Sequence, residues 1–436
     1  MKAMEETRQE STIVLDNQPA SGKDGVDFFV ARQPIFNIDR SVYGYELLFR
    51  SCLENSFDGT EAILASSHVI SHSLFSTGAG RLLSGKKAFI NFPSDLLVAE
   101  IPLLLPPQLA VVEILETTDA SPAVLAACAN LKAKGYLLAL DDYTGQPRLE
   151  PFLHLVDIIK VDFQVVKGED RRLIAALHRP RGVKLLAEKV ETQEEFESAC
   201  KAGYSYFQGF FFARPKLVTG REIAGFKLNY LRILTQMNNP ELDYRQIGAL
   251  IKNEISLAAK LLRYINSAAF SWRGSITSLQ QALALMGENV VRHWISVAVL
   301  MDLARDKPGE LITHALVRAH FCESMSSWAK VSAQQQPTLF LIGMFSLLEA
   351  ILERPLNELL AELPLASDLR DVLLERAPSS DPRVDVFALA KAYEAADWAA
   401  SSAIASRLGI SNQVIPQLYL GSLDWSADVF RSTSSS

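Results

Sequence analysis

Between residue 27 and about residue 215 the chain alternates short apolar runs with stretches of helical period. Runs at 29–35, 42–48, 88–92, 110–115, 136–140, 158–161, 184–187 and 206–208 read as strands. Between most of them lie predicted helices, at 60–75, 120–134, 170–177 and 193–202. Strand and helix alternating in this way imply a parallel sheet with helical crossovers. The number of strands predicts a closed barrel.

Nearly every predicted strand ends in a polar residue: Glu46, Asn91, Glu113, Asp141 with Asp142, Lys160 followed by Asp162, Glu188, and Gln208. In a TIM-type barrel the C-terminal strand ends converge on one mouth. Glu46, Asn91, Glu113, Asp141 and Asp142 offer only oxygen, which suits Mg²⁺, Mn²⁺ or Ca²⁺ rather than zinc or copper. Carboxylates gathered there repel one another unless cations sit among them. Two such metals activate a water and neutralise a phosphodiester under in-line attack. Lys160 then serves as a fixed positive charge, and Glu188 and Glu191 bind metal or orient the nucleophile.

After Leu217 the strand signals fade. Residues 221–237 predict one long connecting helix, broken at Asn238-Asn239-Pro240. Helical patterns follow at 247–252, 257–266, 278–286, 288–303, 313–330, 339–353 and 384–406. Ser256, Ser275 and Thr277 stand where N-caps belong, and Gly287 suits a helix end. The expected layout is a polar tail at 1–26, an α/β barrel at 27–217, a connector at 218–240, an all-α domain at 241–430 and a loose tail at 431–436.

Apolar residues make up 49% and charged residues 21%, the balance of an ordinary globular chain. The net charge of −7 argues against a protein that coats nucleic acid, so no direct nucleic-acid partner is expected, while a small anionic ligand needs only a few local cations. The apolar stretches stop short of the roughly 18 residues of a membrane span. The first residues carry charges without an apolar core, so no export signal is expected and the cytoplasm is the expected compartment. Cys52, Cys128, Cys200 and Cys322 lack CxxC spacing and are expected as reduced thiols.

Taken together, the motifs resemble EAL domains. Gln33-Pro34-Ile35 and Tyr45-Glu46-Leu47-Leu48-Phe49-Arg50 resemble the family's Q-P-I and E-A-L-x-R. Phe89-Ile90-Asn91, Glu113-Ile114-Leu115-Glu116, Asp141-Asp142-Tyr143, Ile159-Lys160-Val161-Asp162, the run Ala187 to Thr192, and Phe207-Gln208-Gly209-Phe210 followed by Arg214-Pro215 match the rest in order. The resemblance implies a TIM-type barrel that binds cyclic di-GMP and, in active members, linearises it to pGpG with Mg²⁺ or Mn²⁺. It implies metal ligands at Glu46, Asn91, Glu113 and Asp141, with Asp142 for a second metal. It places Lys160, Glu188 and Glu191 in catalysis and Arg50, Gln33 and Gln208 against the nucleotide, and it implies a homodimer. Three positions depart from the family: Leu47 replaces its alanine, Lys189 its glycine, and Tyr143 to Leu149 the G-T-G-Y-S-S-L loop that helps place the second metal.

The second half resembles HDOD domains, carried by Leu261 to Phe270, Ile276-Thr277-Ser278, Ala282 to Gly287, and Leu423-Asp424-Trp425. Ser346 and Leu347 stand where HD-type hydrolases have His and Asp, and leucine binds no metal. The resemblance therefore implies a non-catalytic domain that engages a signalling protein. Three functions follow as alternatives: an active cyclic di-GMP phosphodiesterase, an inactive cyclic di-GMP receptor, and a nucleotide-independent adaptor.

Overall fold

A computed structural model of the chain describes residues 28–51, 83–212, 230, 233, 251, 265, 285–286, 288–305, 307–332, 335–363 and 365–434. The predicted helix at 60–75, all but Ile265 of that at 257–266, most of the connector, the caps Ser256, Ser275, Thr277 and Gly287, and Cys52 lie outside the described residues.

Eight strands close a barrel in sequence order. They are β1 (Phe28–Asn37), β2 (Val42–Ser51), β3 (Lys87–Phe92), β4 (Ala110–Ile114), β5 (Leu137–Leu140), β6 (Ile158–Asp162), β7 (Lys184–Glu188) and β8 (Tyr206–Gln208). The barrel helices are α1 (Ser94–Val98), α2 (Pro122–Ala133), α3 (Gly168–His178) and α4 (Gln193–Ala202). Local chemistry sets their ends. Ser121 accepts from Val124 N and precedes Pro122, which opens α2. Thr192 accepts from Glu195 N at the start of α4, and Gly203 ends it in the left-handed region at φ 92°.

The all-parallel expectation needs one correction. β1 runs antiparallel to both neighbours, β2 and β8, whereas β2 to β8 are parallel throughout. Only a tight turn joins β1 to β2, closed by Asn37 N donating to Ser41 O at 2.8 Å. A link that short joins antiparallel strands; a parallel pair needs a crossover.

The barrel interior holds Ile35, Phe89, Val111, Ala139, Ile158, Leu186 and Tyr206 as an apolar layer. Side chains alternate across a strand, so the residue two positions on faces inward again. Adding two to those positions gives Asn91, Glu113, Asp141, Lys160, Glu188 and Gln208. On the reversed strand β1, subtracting two from Ile35 gives Gln33, which pairs in register with Glu46 of β2. The polar ring thus lies one side-chain layer above a dry apolar floor.

The helical half comprises α5 (Glu288–Leu303), α6 (Gly309–Ser324), α7 (Gln336–Phe345), α8 (Leu348–Leu352), α9 (Leu356–Glu362), α10 (Ser367–Leu373), α11 (Pro382–Glu394), α12 (Trp398–Leu408) and α13 (Val414–Ser434). The helix predicted at 384–406 is two helices: Ala396 turns left-handed at φ 55° and Asp397 caps α12 by accepting from Ala400 N. The helix predicted at 339–353 is likewise two, α7 and α8, and the one predicted at 313–330 starts earlier and ends at Ser324. α13 runs to Ser434, through most of the stretch expected to be a loose tail.

Gly343 lets α7 lie close against α6. A Cβ there would stand 2.6 Å from both Ala319 Cα and Arg318 O, which are backbone atoms and cannot swing away. Gly343→Ala is expected to cost about 1–3 kcal/mol, seen as a lower melting temperature; an unchanged melt would contradict the close packing.

The two halves share one continuous hydrophobic core. Tyr393 of α11 donates to Val30 O of β1 at 3.1 Å. On the outer face of the β1–β2 hairpin the Arg32 guanidinium lies 4.2 Å from the Tyr45 ring centre. Glu310 of α6 accepts from Tyr45 Oη at 3.0 Å and pairs with Arg32 at 3.9 Å. Cys128, Cys200 and Cys322 are free thiols, as expected. Among the described residues no helix is long and apolar enough to cross a membrane.

Candidate active site

Lys160 organises the barrel mouth. Its side chain is fully buried, and Nζ lies 2.8 Å from Glu113, 2.8 Å from Asp141, 3.0 Å from Glu188 and 3.4 Å from Glu46. Burial disfavours the ammonium, but attraction to Glu113, Glu188, Glu46 and Asp141 outweighs it and holds the lysine pKa well above its ordinary value. Burial raises the Glu113 and Glu188 carboxyls well above the carboxylate range; Lys160 opposes the rise and neighbouring acids add to it. One ammonium therefore stands against four carboxylates.

That imbalance, together with unused acceptors, fits a hard divalent cation. Asn91 Oδ1, Glu113 Oε2 and Glu188 Oε2 are buried without a hydrogen bond among the described residues, the other Glu113 oxygen being the one paired with Lys160. Buried oxygens ordinarily find partners, and this donor set is all oxygen. The Asn91 amide leans toward Glu46 Oε1 at 3.5 Å. Gln208 Nε2 donates to Glu46 Oε2 at 2.6 Å and lies 3.1 Å from Gln33 Oε1. Gln208 of β8 thereby orients Glu46, and Gln33 of β1 in turn holds the Gln208 amide.

Beside this cluster stands a group of three carboxylates that could hold a cation. Glu116, Asp141 and Asp142 each bring a carboxylate oxygen within 4.8 Å of the others. Asp142 sits in the left-handed region at φ 42°, and burial followed by repulsion from Asp141 raises its pKa. Glu116 was not singled out from sequence as a ligand. Its signal was the acid three residues after Glu113, just past the end of β4.

The loop after Asp142 is braced by its own residues. Gln146 Nε2 donates to Asp142 O at 3.1 Å while its Oε1 accepts from Thr144 N at 2.8 Å. Tyr143 is buried edge-on against His178, and its N–H donates to Lys160 O at 3.0 Å. Lys189 adopts φ 52° where the family has glycine, and its ammonium reaches Asp162 at 2.5 Å. Asp162 also accepts from Gln164 N and Val165 N, which fixes the turn leaving β6.

The structure thus gathers Glu46, Asn91, Glu113, Asp141, Lys160, Glu188, Gln33 and Gln208 at one mouth, with Asp142 at its rim. Glu191 Oε1 accepts from Gln164 Nε2 at 2.8 Å. Arg50 lies on β2, and its side chain is outside the described residues. In the helical half, Ser346 accepts from Arg318 Nη1 at 2.9 Å and donates to Gly343 O at 2.6 Å.

Comparison with known proteins gives two family matches, the EAL domain at residues 86–215 and the HDOD domain at residues 225–352. The cyclic di-GMP phosphodiesterase CdgJ of Vibrio cholerae is 36% identical over 411 residues, covering 92% of this chain and 93% of that protein. The uncharacterized protein YuxH of Bacillus subtilis is 33% identical over 405 residues, covering 91% and 97%. Among solved structures, the manganese and cyclic di-GMP complex of Klebsiella pneumoniae BlrP1 is 24% identical, covering 43% of this chain and 56% of that one, with a TM-score of 0.36. An EAL domain protein from Listeria monocytogenes is 19% identical, covering 43% and 87%, with a TM-score of 0.35.

Proposed function

The chain belongs to the family of EAL–HDOD two-domain proteins, and from that premise we propose that its barrel binds cyclic di-GMP and hydrolyses it to pGpG. The helical domain is the non-catalytic output that engages a signalling protein. The observation that carries the reading is the buried Lys160 set among four carboxylates and the amide of Asn91. The near full-length relative named as a cyclic di-GMP phosphodiesterase supports it.

In this reading Glu46, Asn91, Glu113 and Asp141 hold one Mg²⁺ or Mn²⁺, and Asp142 with Glu116 and Asp141 a second. Metal bound there would supply Lewis acidity and a water of lowered pKa. Gln208, itself held by Gln33, keeps Glu46 in its rotamer, so the ligand is pre-placed when the cation arrives. The Lys160 ammonium adds a fixed charge beside the phosphate and offsets the negative charge that grows on it in the transition state. Glu188, whose proton affinity is raised by burial, can take a proton from the attacking water. One P–O bond forms to water oxygen, the P–O3′ bond breaks, and the leaving oxygen gains a proton. Glu191, held by Gln164, positions the turn that carries Glu188.

The test is liquid chromatography of cyclic di-GMP incubated with the full chain and Mn²⁺. Wild type is expected to release pGpG, and Glu46→Ala to lower the rate at least about a hundredfold. Equal product from both proteins would exclude the mouth as the catalytic centre. Unchanged cyclic di-GMP with wild type would leave a receptor or an adaptor, which calorimetry separates.

A further inference from the structure

A cleft open to solvent lies where the helical domain meets the barrel mouth. Gln33, Gln208 and Phe210 line it on the barrel side. Glu310, Thr313, His314 and Val317 line it from α6. Their spacing of three and four residues puts these four on one helix face. The cleft therefore shares Gln33 and Gln208 with the carboxylate site, through the hydrogen bond from Gln208 to Glu46.

The lining chemistry discriminates between parts of a nucleotide. Its charges are matched within the protein: Arg32 pairs with Glu310, and Glu394 pairs with Arg318. Among the described lining residues no surplus cation is left to attract a phosphate. Phe210, 39% exposed at the mouth, presents an aromatic ring 6.2 Å from that of His314, and Val317 adds apolar wall. Gln208 Oε1 is buried and accepts no hydrogen bond among the described residues. An exposed aromatic surface with a few convergent polar groups suits a heteroaromatic base.

Resting on the functional reading above, we propose that α6 forms the outer wall of the nucleotide site and that one guanine of the cyclic dinucleotide occupies this cleft. The helical domain is then part of the ligand site, and nucleotide binding bears directly on the seam between the two halves.

The experiment is calorimetric titration of the full chain with cyclic di-GMP, and separately with Mn²⁺ alone. Thr313→Trp fills the cleft from the helical side and is expected to raise the Kd for cyclic di-GMP at least tenfold, with the Kd for Mn²⁺ within twofold of wild type. Phe210→Ala removes the ring without adding bulk and is expected to weaken nucleotide binding about tenfold, again sparing Mn²⁺. Unchanged nucleotide affinity in both variants would overturn the inference and leave the functional reading intact. Parallel loss of Mn²⁺ affinity in both would also overturn it, since the damage would then lie at the carboxylates. Absence of cyclic di-GMP binding by wild type would overturn the functional reading, and this inference with it.

Discussion

Replacing Lys160 with methionine is expected to cost the barrel about 3–5 kcal/mol, the usual result of stripping one partner from a buried ionic cluster. For a domain of this size that is a fall in melting temperature of about 10 °C. The cause is specific. Lys160 Nζ is within 3.4 Å of all four carboxylates, and its removal leaves them facing one another in a largely buried setting. Glu113 and Glu188 already bind protons more tightly than ordinary glutamates, and without the ammonium they bind them more tightly still. Protonation relieves the repulsion, so the deficit is expected to be larger at pH 8 than at pH 5. Saturating Mn²⁺ is expected to raise the melting temperature of the variant more than that of wild type, because the ion binds the folded carboxylate cluster and not the unfolded chain. Turnover of cyclic di-GMP is expected to fall by about 10²–10³. Differential scanning calorimetry at both pH values, with and without Mn²⁺, tests the stability part; a variant that melts with wild type would mean that the four carboxylates are not held by this lysine.

Arg318→Met is expected to be comparably damaging in the helical half, about 3–5 kcal/mol. Arg318 Nε lies 3.1 Å and 2.9 Å from the two Glu394 carboxylate oxygens, and Nη2 lies 2.5 Å from one of them. The same guanidinium reaches Ser346 and His314. Burial alone would raise the Glu394 pKa, but attraction to Arg318 and then His314 brings it down to about 2. A depressed carboxylate stabilises the fold above its unfolded value near 4.5, and that contribution is lost as pH falls toward 2. Over that window wild type is expected to lose on the order of 3 kcal/mol from this group. Arg318→Met should flatten this part of the acid profile. The double variant Arg318→Met with Glu394→Leu is expected to recover much of the loss, since it removes the stranded charge as well. Single and double variants equally destabilised would show that packing around Arg318, not its charge, holds the helices together.

Both clusters bear on what could be read without coordinates. The strand runs, the polar residue at the end of each, and their motif order were all visible, because alternation along a strand is a local property that survives in sequence. Glu46, Asn91, Glu113, Asp141, Lys160, Glu188 and Gln208 were legible for that reason. The reversal of β1 was not read from the pattern, although the short turn at residues 38–41 was there to see. The breaks at Ser346–Leu347 and Ala396 were missed because apolar periodicity continues across them, while a cap or a left-handed residue interrupts only the backbone.

What the sequence determined by itself was the composition of the mouth: an oxygen-rich set with one lysine, placed by a period of two above an apolar floor. Only the tertiary structure decided that a single ammonium touches four acids, that Glu191 meets Gln164, and that Glu310, Thr313 and His314 of a distant helix face the same opening as Gln33. Those outcomes depend on through-space distances between residues far apart in the chain. Charge pairing and cleft walls follow from such distances, and periodicity along one strand or helix carries no record of them.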